Sequence, residues 1–84
     1  MNYHEFCEML RETHDEEWQL TFVAIWKACY FRFMREMAEV TGIPYKTLQN
    51  WTADGPERRT PPDYTLTLLA YMLYRDGYLN HEAL

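Results

Sequence analysis

Arg35-Glu36-Met37-Ala38-Glu39-Val40-Thr41-Gly42-Ile43-Pro44-Tyr45-Lys46-Thr47-Leu48-Gln49-Asn50-Trp51 is the stretch whose reading decides the fold. Gly42 tolerates the left-handed backbone that ends a helix. Pro44 suits the first turn of the next helix, where its missing amide had no partner to lose. Ala38, four residues before Gly42, is small enough to let two helices cross closely. Ile43 plugs the turn into a core, and Met37 points inward beside Ala38. Leu48 and Trp51, three residues apart, turn one face of the second helix the same way. The pattern predicts two short helices, 33–41 and 44–52, crossing at a tight turn so that the second stands outward.

On the N-terminal side, Tyr3, Phe6, Cys7 and Leu10 recur at helical spacing and predict a short first helix over residues 2–12. Thr13-His14-Asp15-Glu16 has the form of a capping box. It is read as the start of a long second helix, 15–31, with Trp18, Phe22, Ile25, Cys29 and Phe33 as its apolar stripe. On the C-terminal side, Ala53 to Arg59 carries turn chemistry. Thr60-Pro61-Pro62-Asp63 reads as another helix start and Gly77 as a stop, which predicts a last helix over 60–77 followed by a tail or short turn. No strand pattern is present. The expectation is a single all-α domain of about five helices, with an acidic N-terminal helix in residues 1–14.

Composition agrees with one small domain. The chain has 84 residues, 48% of them apolar and 25% charged, with 3 Gly and 4 Pro, which excludes a disordered or collagen-like chain. No uncharged stretch, Trp18 to Trp26 included, is long enough to span a membrane. The first residues lack the basic and apolar regions of a secretory signal, and two cysteines make no disulfide framework, so a reducing cytoplasm is expected. The net charge of −5 is carried entirely by residues 1–17, which hold six acids and one base; the remainder is balanced.

The run quoted above, with Arg58-Arg59-Thr60-Pro61-Pro62 after it, resembles the small phage-repressor, Cro-like helix-turn-helix proteins of the xenobiotic-response-element type. The resemblance covers about residues 33–75, with the helix-turn-helix unit at 33–53. It implies a DNA-binding transcriptional regulator from a phage or mobile element, acting on double-stranded DNA. Helix 44–52 would be the recognition helix, with Tyr45, Lys46, Gln49 and Asn50 facing the major groove. Gln and Asn can bond an adenine edge bidentately, and Lys46 can reach guanine or phosphate. Thr47, Arg35, Arg58 and Arg59 would add backbone contacts. Many members of this family read palindromic sites as dimers, so a homodimer is a further expectation. The chain departs from the family pattern at Phe33 and Met34, where a hydroxyl cap and a Gln are usual. It also lacks a glycine separating that helix from the one before it, and its loop after Trp51 is longer and more acidic.

A second reading uses the same scaffold as a protein-binding module, such as an inhibitor of a nucleic-acid-processing host defence enzyme. Glu12, Asp15, Glu16 and Glu17 would meet a basic protein partner. Tyr30, Phe31, Phe33 and Met34 cover most of a helix circumference, as do Tyr71, Met72, Leu73 and Tyr74, so they cannot all face one core. Tyr30, Phe31, Tyr71 and Tyr74 are therefore candidate interface residues, with an exposed patch expected around Phe31 or Tyr74. His4, Cys7, His14 and Cys29 lack the paired spacing of a zinc site, and no nucleophile with an orienting partner is evident. No metal, cofactor or enzymatic activity is expected.

Overall fold

A computed structural model describes residues 1–52 and 61–84. The predicted loop 53–59, Arg58 and Arg59 within it, and the predicted cap Thr60 lie outside the described residues. The chain is all-helical: α1 (Tyr3–Glu12), α2 (Phe22–Ala28), α3 (Met34–Thr41), α4 (Tyr45–Thr52) and α5 (Asp63–Arg75), followed by one 3-10 turn, His81–Ala83.

Helix α1 starts from a reciprocal capping box. The Asn2 side chain accepts from the Glu5 amide at 2.8 Å, and the Glu5 carboxylate accepts from the Asn2 amide at 3.1 Å. Phe6 and Leu10, one turn apart, are its buried residues. The predicted capping box at Thr13 does not form. Thr13 instead closes α1, its amide bonding the Met9 carbonyl at 3.0 Å and its hydroxyl donating to the same oxygen at 2.8 Å.

The predicted helix 15–31 is corrected at both ends. At its start, an Asp15 carboxylate oxygen accepts the Glu17 amide at 3.2 Å, a local bond that competes with a helical turn. The true cap is Thr21, whose hydroxyl accepts from the Ala24 amide at 3.1 Å. At its end, Cys29 is extended and pairs antiparallel with Leu79. The Tyr30 amide donates to the Tyr78 carbonyl and the Asn80 amide to the Ala28 carbonyl, both at 2.9 Å. The aromatic run Tyr30-Phe31 favours an extended backbone, and the C-terminal segment supplies the partner that a helix would have found within itself. Phe33, placed in the apolar stripe by periodicity, therefore sits outside any core-facing helix and is 68% exposed.

The C-terminal helix begins at Asp63 and ends in a Schellman arrangement. The Tyr78 amide reaches the Leu73 carbonyl at 2.8 Å and the Gly77 amide reaches Tyr74 at 3.1 Å, with Gly77 at φ +86°. Leu66, Leu69, Ala70 and Leu73 form its buried face. Helix α1 packs on α5, α3 and α2 pack on α4, and the 3-10 turn packs on α2. Together with Phe22, Ile25, Ala28, Met37, Leu48 and Leu79 these helices bury one continuous core. No polar or charged residue is buried among the described residues.

Gly42 caps α3 at φ +76°, and a Cβ built there meets nothing within 4 Å. The cost of Gly42→Ala is therefore conformational rather than steric, about 1–2 kcal/mol. Leu48→Ala empties a side-chain site that is fully buried and should cost about 2–5 kcal/mol. Urea unfolding of the two variants is expected to rank them in that order.

Candidate nucleic-acid interface

The unit α3–turn–α4 is built by three local devices. Helix α3 has no side-chain oxygen at its cap, because Phe33 stands there; the Glu36 carboxylate instead accepts from the Phe33 and Arg32 amides, at 3.0 and 3.2 Å. This is the acid's half of a capping box, and the Glu36 amide, which a capping hydroxyl would have bonded, reaches the Phe33 carbonyl at 3.0 Å. At the turn, the Gly42 amide donates to the Ala38 carbonyl at 2.9 Å. Thr41 fastens both sides: its hydroxyl donates to the Met37 carbonyl at 2.7 Å and accepts from the Ile43 amide at 3.2 Å. The Pro44 carbonyl then accepts from the Thr47 and Leu48 amides, so α4 begins at once.

Packing fixes which face of α4 looks outward. Leu48 is fully buried, and Trp51, partly buried, meets the Phe22 ring edge-on at 5.4 Å. Ala38 and Ile43 are partly buried against the same core. With Leu48 and Trp51 held inward, Tyr45, Lys46, Gln49 and Asn50 are all exposed. Thr47 is half-buried. The exposed Arg35 guanidinium lies 5.4 Å from the centre of the Tyr45 ring, which carries a cation from α3 to the start of α4. Helix α4 itself has one charge, Lys46, and no acid. On α3, Glu36 is turned to the backbone amides at the helix start, and Glu39 is exposed.

The other predicted site residues are scattered. Tyr30 is 67% exposed. Phe31 is partly covered, stacked between Trp26 and Tyr78 at centroid distances of 6.4 and 5.3 Å. Tyr71 and Tyr74 are also partly covered: Phe6 of α1 lies 5.5 Å from each ring, and His81 lies 5.0 Å from Tyr74. Neither Phe31 nor Tyr74 is fully buried, but the most exposed large apolar side chains lie elsewhere, at Tyr30, Phe33, Tyr64 and Leu68. The α5 pair was detectable in sequence, since Tyr64 and Leu68 are one turn apart and lie off the Leu66–Leu69–Leu73 face. Glu12, Asp15, Glu16 and Glu17 are exposed.

His14 holds a structural position that spacing did not reveal. Its Nδ1 lies 2.8 Å from the Leu10 carbonyl and its Nε2 lies 2.7 Å from the Leu84 backbone oxygen, while its ring stacks on Trp18 at 3.6 Å. Among the described residues no three His, Cys, Asp or Glu side chains converge as metal ligands, and no helix is long and apolar enough to cross a membrane. Desolvation, then the neighbouring Cys7 thiol, raises the Tyr3 phenol above its ordinary value. The chain matches no family model, no curated protein and no solved structure.

Burial pushes the Cys29 thiol up to about 11 from 9.0. Two units cost about 100-fold in thiolate at pH 8, partly offset by the greater nucleophilicity of the more basic sulfur. Alkylation of Cys29 by iodoacetamide, followed by peptide mass spectrometry, is expected to run about tenfold or more slower in the folded chain than in urea.

Proposed function

We propose that this chain is a helix-turn-helix transcriptional regulator of a phage or mobile element, with α4 as the helix that enters the major groove of double-stranded DNA. The observation that carries the reading is the division of α4 into two faces. Leu48 and Trp51 anchor it, while Tyr45, Lys46, Gln49 and Asn50 stand free on a helix without an acid. Two amide side chains and one ammonium on adjacent exposed turns form the donor and acceptor set that reads base edges. Arg35, carried alongside Tyr45, supplies a phosphate contact from α3. The resemblance of residues 33–75 to Cro-like helix-turn-helix proteins points the same way.

The acidic excess in residues 1–17 does not oppose this reading, because it belongs to α1 and the segment after it rather than to α3 or α4.

Duplexes selected from a random-sequence library by retention on the chain provide the substrate for the test. With three to five phosphate contacts, log affinity is expected to fall with log salt at a slope of roughly −3 to −4.5. Lys46→Ala should weaken binding to every sequence and flatten that slope by about 1 if it contacts phosphate. Gln49→Ala should cost about 1–3 kcal/mol on the selected site and relax its preference at one position. Unchanged DNA retention in gel shifts of both variants would overturn the reading.

A further inference from the structure

A concavity among the described residues shares no residue with α3 or α4. It is a groove of about 670 Å³ between α1, the irregular segment 13–20 and the first turns of α5. Tyr3, Trp18 and Tyr64 supply aromatic lining, and Asp15, Glu16 and Asp63 supply three carboxylates against one guanidinium, Arg11. Tyr64 is 68% exposed and Tyr3 36%. Among the described residues the ion pairs are His4–Glu8 and Arg75–Asp76, and neither involves a groove acid. His14, at the groove wall, has both ring nitrogens directed at backbone oxygens of Leu10 and Leu84.

We infer that this groove binds an arginine-bearing segment of a protein partner. Aromatic rings and carboxylates lining one groove select a planar cation that can stack and fork hydrogen bonds at once, which guanidinium does and ammonium does not. The chain itself shows the stacking half of this chemistry twice, with Arg35 over Tyr45 at 5.4 Å and Arg75 over Tyr71 at 6.0 Å. Charge complementarity names the sign of the occupant, since the groove belongs largely to the part of the chain that carries its whole net charge. The exposed aromatics supply the apolar contact that separates a peptide from a free cation. Glu12 and Glu17 are equally acidic and exposed but do not line the groove. The inference stands independently of DNA binding by α4.

The probe is a Gly/Ser octapeptide with two adjacent arginines and blocked ends; its controls carry citrulline or lysine at those positions. Binding is followed by amide and indole chemical shifts of the full chain. Saturable shifts confined to Tyr3, Trp18, Gln19, Tyr64 and their neighbours are expected. The citrulline peptide should bind at least tenfold more weakly and the lysine peptide at least threefold. Glu16→Gln with Asp63→Asn should weaken the arginine peptide fivefold or more, and Tyr64→Ala threefold or more. Glu12→Gln with Glu17→Gln, an equal change in net charge outside the groove, should leave affinity within twofold. Equal losses from the two charge pairs would reduce the effect to bulk attraction and overturn the inference, as would equal binding of citrulline. Absence of saturation would do the same. Concentration-dependent self-association abolished by the groove variants would assign the groove to a second copy of this chain and also overturn it.

Discussion

The turn at residues 41–44 is the constraint on which the outward face of α4 depends. Gly42 reverses the chain at positive φ, and Thr41 bonds backward to Met37 and forward to Ile43, so the two helices meet with little freedom. Once that angle is set, Leu48 has one place to go, and its burial leaves Gln49 and Asn50 outward. A slip of one residue in α4 rotates every side chain by about 100° and moves an amide toward the core. The turn therefore determines which residues can meet a partner, even though it touches none.

Around this unit the fold disposes of an aromatic surplus by three routes. Helix α1 lays Tyr3 and Phe6 against Tyr71 and Tyr74. The C-terminal segment puts Tyr78 over Phe31. Tyr30, Phe33 and Tyr64 are the aromatics left most exposed. The result is a chain with two unlike surfaces: a polar, acid-free helix at α4, and an acidic, aromatic groove between α1 and α5.

The all-helical class, the turn at Gly42, the burial of Leu48 and the stop at Gly77 were legible because each rests on a local rule. The turn needs one glycine, and a helix face needs two or three apolar residues at fixed spacing. The error over 15–31 has the opposite origin. Trp18, Phe22, Ile25, Cys29 and Phe33 fit one helical stripe, but periodicity carries no information about Leu79, whose backbone claims Cys29 from a distant part of the chain. The Asp15–Glu17 bond and the Thr21 cap were visible as residue types, yet choosing Thr21 over Thr13 depends on which hydroxyl is free, and Thr13 is held by Met9. The outward residues of α4 were legible once its buried face was known. The groove was not, because its lining comes from three segments that only the tertiary fold brings together.

The antiparallel pairing of residues 28–30 with 78–80 also orders events in time. Until the later strand-like piece has left the ribosome, α2 has no closure at its C-terminal end, and Phe31 lacks the Tyr78 ring that covers it. Contacts between segments this far apart form late, after loop entropy has been overcome. The α3–turn–α4 unit is synthesised before the segment that clasps its preceding helix, so a product truncated ahead of residues 78–80 presents α4 on an unfinished support.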